Sequence, residues 1–506
     1  MKPARTGAGG KLTPINQGRR HALVVDLNNF STFPTLAIGS LLAALRNEGF
    51  RASLLSPLAN GVSAAAREHP ERYIDHLARR VHLSTWGPFQ SARDAARTAR
   101  AWWADRADPR VVGIAAAAIA ERPDIVLLSA YMQHYPTAVE IGKLAALRGI
   151  PMLVGGPMFN IREAVPAWLK IPGLVAIVGS EVDLILPRIV EAACSGEDLL
   201  QFDGVTLPDG RFSSPAPPLR KLDEVPVPDF TDFPWDRYRA RVVPMMTGRG
   251  CQWNQCNFCS DVISVSGRTY RTRSIDNVLN EMKEQSRRHN AANFLFLDLK
   301  LNSNPAMFRG IIENAQSSVP GSQWIGTVHV DQRKDNGLSR LELRAAAAAG
   351  MRRISFGLES GSQSLLDAMK KGCSVELNSE FIRNAHDAGL SVRCTMFKGF
   401  PGETEADLLK TAEFLERHAP YIDRIRFNEF SVPIGTPIER DLRARPDLYP
   451  NIRVTGFDRR DVRARYTNID GRGKTYRRAK ARVLRAVYDV NRNPIRSGAQ
   501  MFDGLM

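Results

Sequence analysis

Three of the chain's six cysteines, Cys251, Cys256 and Cys259, fall within the run GRGCQWNQCNFC at 248–259. Thiolates are soft, tight metal ligands, and three on one loop exceed what packing asks for. They also fall short of the four donors that close a tetrahedral site. The spacing C-x4-C-x2-C lets one loop wrap three corners of an iron–sulfur cube, leaving one iron open to a further ligand. Structural zinc would need a fourth donor, and the histidine nearest in sequence, His289, lies beyond a predicted helix. A trio of unreacted buried thiols fits poorly with Gly248 and Gly250, which mark a loop that other backbone approaches closely.

Such a loop needs a scaffold. The apolar run 242–246 just before it reads as a strand, and further strands are predicted at 293–297, 324–328, 353–357, 391–396 and 424–427. Helices such as 275–288 and 341–349 fall between them. Six βα units predict a partial parallel barrel, with its site at the C-terminal strand ends.

A second α/β series precedes it. Strands at 21–26, 52–55, 124–129, 152–154 and 175–178 alternate with helices at 35–48, 136–148 and 182–193, predicting a doubly wound parallel sheet. Residues 57–121 interrupt the alternation with Ala- and Arg-rich helices carrying Trp86, Trp102 and Trp103, as either a lid or a packing layer. The proline-rich stretch 201–239, with Asp209-Gly210, reads as a small hairpin and an extended linker. The resulting division is a flexible tail at 1–20, an N-terminal sheet domain at 21–200 with its helical insertion, a linker at 201–240, a barrel at 241–438 and a basic C-terminal extension at 439–506. The extension is expected to be mostly helical, with one helix at 474–490.

Composition is that of a soluble globular protein, 43% hydrophobic and 24% charged over 506 residues. No apolar run is long enough to span a bilayer, and the first twenty residues lack the apolar core of a secretory signal. Six cysteines, half of them clustered, point to a cytoplasmic protein that uses thiolates as metal ligands rather than to a disulfide framework. The net charge of +16 permits anionic partners. Arginine-rich coding bias accounts for it equally well.

The cluster loop, with Phe258 between the last two cysteines and a βα series after it, resembles radical S-adenosylmethionine enzymes over about residues 240–440. Their commonest spacing is C-x3-C-x2-C; this chain has one more residue between Cys251 and Cys256. The resemblance implies a 4Fe–4S cluster on Cys251, Cys256 and Cys259, the metal ligands and catalytic centre, whose open iron takes the amine and carboxylate of S-adenosylmethionine. An external donor such as flavodoxin or ferredoxin would supply the electron. The resemblance also carries Phe258 next to the cofactor, Asp298 as a contact to the methionine end, and Glu359 and Ser360 near the ribose or amino group. Gly399 and Gly402 fall in the adenine-side turn, and 432–437 resembles the close of the barrel. Taken singly, Asp298 and Glu359 read equally well as capping or salt-bridge residues.

The N-terminal segment resembles the cobalamin-binding domain that often precedes such barrels, through 34–49, 123–129, Gly155-Gly156-Pro157 and Gly179-Ser180-Glu181. That implies cobalamin contacts at Gly155, Gly156, Gly179 and Glu181. A nucleotide-binding or ligand-free sheet is the competing reading. The motif Asp-x-His-x-x-Gly is absent, which implies cobalamin held without that histidine. His134 either approaches the cobalt or, the preferred reading, caps the helix that follows.

The combination implies a cobalamin-dependent radical methyltransferase acting on an unactivated carbon of a small-molecule or lipid metabolite. A cyclase or rearrangement enzyme using the same two cofactors is the alternative. An RNA methylthiotransferase would carry three more N-terminal cysteines where only Cys194 stands, so nucleic acid is not an expected partner. A corrinoid sensor would not need the cysteine loop. Cys373 and Cys394 read as buried thiols, either of which could donate a hydrogen atom. Specificity is expected in 57–121 and 438–506.

Overall fold

A computed structural model describes residues 20–505 apart from 29–31, 63–68, 105, 180, 261–268 and 459–461. The expected tail, Arg20 excepted, lies outside the described residues.

Strand β1 (His21–Asp26) carries the apolar run Ala22 to Val25 because it is buried on both faces. Helix α1 (Leu36–Asn47) returns the chain to β2 (Arg51–Leu55). The insertion then forms α2 (Tyr73–His82), α3 (Gly87–Ala104) and α4 (Pro109–Ala120) before β3 (Ile125–Ser129). Next come α5 (Tyr135–Ala146), β4 (Met152–Gly155), β5 (Leu174–Val178), α6 (Leu186–Ser195) and β6 (Val205–Thr206). The sheet order is β2-β1-β3-β4-β5-β6, parallel from β1 to β5, with β6 antiparallel at the edge. Alternate residues of β1 feed opposite cores, Ala22 and Val24 one, Leu23 and Val25 the other. Helix α6 begins at Leu186, later than the expected 182. Its early proline sets the start, and the residues before it turn toward the second sheet.

The second sheet begins at β7 (Val242–Met245), followed by a ribbon of β8 (Gly248–Arg249) and β9 (Arg271–Thr272). Then α7 (Ile275–His289), β10 (Asn293–Phe296), α8 (Pro305–Ser318), β11 (Gln323–Val328), α9 (Arg340–Ala348) and β12 (Met351–Glu359) alternate. Helices α10 (Gln363–Ala368) and α11 (Val375–Asp387) lead to β13 (Ser391–Lys398), α12 (Glu405–His418) and β14 (Arg424–Glu429). All six sheet strands are parallel in the order β14-β13-β12-β11-β10-β7, a partial barrel with two edges.

The C-terminal region holds β15 (Val432–Pro433), α13 (Pro437–Ala444), β16 (Ile452–Asp458), β17 (Arg463–Asn468) and α14 (Lys474–Asn491). The antiparallel sheet β15-β17-β16 adds to the expected helical content. Helix α14 packs on α12 and caps the β14 edge, where the Asn491 carboxamide accepts from Ile425 N–H and donates to Ile425 C=O, both at 2.8 Å. Beyond it, Phe502 and Leu505 close the barrel floor against Val242, Leu295 and Ile325. Arg353, buried in that floor, donates to the Phe502 carbonyl at 2.7 Å.

Candidate functional site

The cysteine loop leaves the C-terminal end of β7. Buried Asp298, just past β10, takes Thr247 N–H at 3.0 Å and its hydroxyl at 2.6 Å. Burial pushes this carboxyl up to about 6, against the Thr247 hydrogen bonds. Asp298 thus anchors the loop's first residues. The two glycines then let backbone cross backbone: a Cβ on Gly248 would stand 2.5 Å from the Arg271 carbonyl, and one on Gly250 (φ +84°) 1.9 Å from the Thr269 carbonyl. Within the four-residue spacer Asn254 has φ +41°, a left-handed conformation that asparagine tolerates, and it turns the longer spacer back on itself.

Cys251, Cys256 and Cys259 are each partly exposed. The loop rests on the segment after α10. Trp253 Nε1 donates to the Lys370 carbonyl at 2.9 Å, and Asn257 donates through N–H and Nδ2 to the Met369 and Ala368 carbonyls at 3.2 and 2.8 Å. Gly372 accommodates the Trp253 ring; a Cβ there would lie 2.0 Å from it. Phe258 joins Phe397, Phe400 and Phe430 at 5.4, 6.5 and 6.2 Å between ring centroids.

At the end of β12, Glu359 adopts φ +59° at a shift of strand register. Its carboxylate takes Lys371 Nζ at 2.9 Å, both side chains nearly buried. Gly357 leaves room, since a Cβ there would meet Glu359 Oε1 at 2.2 Å. Burial works against the Lys371 charge, yet Glu359 beside it holds the ammonium above its ordinary value. Burial likewise pushes the Cys256 thiol up, and the Lys371 charge pulls the other way. A cation beside the cysteines favours the thiolate forms that bind metal.

On the opposite side lies a second buried group. Lys300 and Asp331 form an ion pair with side chains almost fully enclosed. Arg333 donates to Asp331 at 3.0 Å and reaches Gln252 of the loop. His329 lies beside Trp253, ring centroids 6.0 Å apart, with Nε2 buried and without a partner. Burial, reinforced by the Lys371 and Lys300 charges, keeps His329 neutral. Sequence reasoning missed this set and Lys371. The one signal was position: Lys300 and Asp331 follow predicted strands at the end where a barrel collects its functional groups.

The turn after β13 stands open. Gly399 (φ +85°) and Gly402 (φ +90°) have nothing within 4 Å of an added Cβ. Behind it, buried Glu403 accepts from Gly399 N–H at 2.9 Å and from the Tyr476 hydroxyl, and burial drives its carboxyl up to about 7.

Several expected contacts have other work. Ser360 is buried; its hydroxyl lies 3.0 Å from Thr411 Oγ1 and accepts Ser362 N–H at 3.1 Å, tying β12 to α12. Glu181 accepts from Leu219 N–H at 2.7 Å and from Arg271 at 2.5 Å, and lies 3.5 Å from Arg249. Gly156 (φ +148°) and Gly179 make room for neighbouring backbone, with an added Cβ 2.2 Å from the Ala130 carbonyl and 2.6 Å from the Phe159 carbonyl. Gly155 is less crowded, 3.3 Å from the Val178 carbonyl. Each of these glycines thus has a packing role within the sheet. His134 Nδ1 accepts Tyr131 N–H at 3.1 Å, and burial lowers the imidazole to about 4, so it serves as a neutral local cap. Ser180 lies outside the described residues.

The donor set fits a cluster: three cysteines on one backbone-anchored loop beside a cation. Among the described residues no three His, Cys, Asp or Glu converge on a single ion. A cubane asks for something else, since each of its thiolates holds a different iron. For the N-terminal sheet the observation is Asn28, past the end of β1, whose buried Oδ1 has no partner. It stands where the strand order reverses between β1 and β3, the crevice in which doubly wound sheets bind ligands.

Residues 245–415 match the Radical SAM superfamily. An uncharacterised methyltransferase of Pyrococcus horikoshii is 26% identical over 303 residues, 58% of this chain and 64% of that protein. The bacteriochlorophyllide d C-12(1)-methyltransferase of Chlorobaculum tepidum is 24% identical over 333 residues, 64% of this chain and 66% of its own length. The matches thus span less than two thirds of either relative. In fold, the chain is similar to the radical S-adenosylmethionine methyltransferase TsrM of Kitasatospora setae, solved with cobalamin and a [4Fe-4S] cluster. The TM-score is 0.60 at 17% identity, covering 87% of this chain and 81% of that one.

Proposed function

Starting from a chain whose residues 245–415 match the Radical SAM superfamily, we propose that it is a cobalamin-dependent radical methyltransferase, with an unactivated carbon of a small-molecule or lipid metabolite as acceptor. One observation carries the reading. Asp183, just after β5, takes both terminal nitrogens of Arg249 at 2.8 and 2.9 Å. Arg249 is two residues before the first cysteine, so the ligand-binding edge of the N-terminal sheet is fastened to the base of the cluster loop. TsrM, similar in fold, binds both cofactors.

Bound there, the two groups would supply one-electron reduction of the sulfonium of S-adenosylmethionine and a transferable methyl group. Cys251, Cys256 and Cys259 would hold the cluster, and the Lys371–Glu359 pair would keep a cation beside it. The open turn at Gly399 and Gly402 would leave room for a nucleoside to lie against its backbone. Asn28 would place an acceptor against the corrinoid. Thr247, fixed by Asp298, keeps the loop in register with the barrel. An external electron donor completes the system.

Anaerobic reconstitution should yield about four irons per chain, lost in Cys256→Ala. Methyl-deuterated S-adenosylmethionine, supplied with the acceptor, should label the product. Label recovered in methionine alone would instead assign the chain to cyclisation or rearrangement. Full iron content in Cys256→Ala would remove the cluster assignment itself.

A further inference from the structure

Helix α2 is built inside out. Two of its polar residues face the protein: His76 is buried, its ring tilted against Tyr488 of α14 at 4.8 Å between centroids, and Arg79 pairs with Glu71 at 2.8 Å. The same polar side lines a cleft of about 830 Å³ against β14, between Asp75 and Arg79 on the helix and Arg426 and Asn428 on the strand. The apolar side faces out. Ile74, Leu77 and Val81 fall on one stripe by helical spacing and are 65, 41 and 46% exposed.

The stripe continues past the helix. Trp86 and Phe89 pack edge to face at 4.9 Å and are both exposed, as is Tyr73 at the helix start. Most large hydrophobic side chains on this molecule are buried, so six exposed ones within 73–89 form a patch that water alone does not favour. Among the described residues the charges beside it are mainly basic, and the neighbouring carboxylate, Asp75, is paired with Arg72. Arg72 and Arg80 are exposed beside the stripe, whereas Asp75 is turned to Arg72 at 3.0 Å. Apolar residues flanked by Tyr, Trp and exposed Arg80, with Asp75 held by Arg72, suit the boundary between acyl chains and anionic headgroups.

We propose that the face formed by α2 and the start of α3 docks on an anionic lipid bilayer, with Ile74, Leu77, Val81, Trp86 and Phe89 entering the interface and Arg72 and Arg80 meeting the headgroups. No helix among the described residues is long and apolar enough to cross a membrane, so the attachment is peripheral. The docking places the outer wall of the cleft beside β14 against the lipid surface.

The test is co-sedimentation of the full chain with vesicles of equal parts phosphatidylcholine and phosphatidylglycerol, against phosphatidylcholine alone. The wild-type chain should sediment with the anionic vesicles and be released by raised salt. The double variant Ile74→Glu/Leu77→Glu, whose substitutions lie at exposed positions and should leave thermal unfolding unchanged, should lose partitioning by about tenfold or more. Arg72→Glu/Arg80→Glu should weaken binding to anionic vesicles. Equal binding to both vesicle types, or to neither, overturns the proposal. So does a concentration-dependent dimer that the Ile74→Glu/Leu77→Glu variant disperses, which would assign the face to a second copy.

Discussion

Asp183 and Arg249 meet in a two-pronged ion pair, Nη1 to Oδ2 at 2.8 Å and Nη2 to Oδ1 at 2.9 Å, that joins the two large sheets at the C-terminal ends of their parallel strands. Bidentate pairs fix orientation as well as distance. Arg249→Ala should therefore cost about 2 kcal/mol and loosen the two sheets from each other. Chemical denaturation would measure the first effect, and limited proteolysis between 201 and 240 the second. The double variant Asp183→Ala/Arg249→Ala should recover part of the loss; strict additivity would mean that the two side chains act independently.

The pair of Lys371 and Glu359 is more deeply buried and should be more sensitive. Lys371→Met strands a carboxylate and should destabilise by about 3 kcal/mol. Adding Glu359→Gln should restore most of it, leaving a neutral pair in the same space. Thermal unfolding of the wild-type chain and both variants before iron loading isolates this effect from cluster uptake.

Two left-handed glycines should respond differently to the same substitution. Gly399→Ala enters open space and bears only the conformational penalty, about 1–2 kcal/mol. Gly250→Ala adds a clash with the Thr269 carbonyl, and should cost more while lowering iron uptake. Equal iron content in the two variants would show that the crossing at Gly250 does not shape the cysteine loop.

Glu403 supplies a pH signature. Burial raises its carboxyl from the ordinary 4.5 to about 7, so between those values the folded chain holds a proton that the unfolded chain has released. Stability from this group is complete below about 4.5, declines as pH rises, and is lost by about 7. Glu403→Gln keeps an acceptor for Gly399 N–H and Tyr476 and does not titrate. Its stability relative to wild type should climb over that window by up to about 3 kcal/mol and stay level above it. Denaturation midpoints at pH 5, 6 and 8 would resolve the curve.

The alternating strands were legible because parallel strands covered on both faces read as short apolar runs, and β1, β11 and β14 fall close to their expected positions. The cysteine loop was legible because its chemistry is written in consecutive residues. The ribbon of β8 and β9 was not, since two-residue strands leave no period to detect. In β16, the alternation of half-buried and exposed residues over Ile452–Asp458 was present but hidden by Arg453 and Gly456. Lys371 with Glu359, and Lys300 with Asp331, join residues from separate turns, and no local pattern announces such pairs. Glu181, expected beside a cobalamin, pairs with Arg271 between the sheets, a contact that no local pattern in the sequence announces.

The floor of the barrel has a consequence for biosynthesis. Val242, Leu295 and Ile325 are synthesised early, whereas Phe502 and Leu505, which cover them, follow β14, β17 and α14. A nascent chain can therefore carry every cysteine of the cluster loop while its barrel still exposes apolar surface and the Arg353 guanidinium below. Such a species invites chaperone binding and aggregation. Translation that stops short of residue 497 would leave a catalytic face without a base, and the cell would meet it as a folding intermediate rather than as an enzyme.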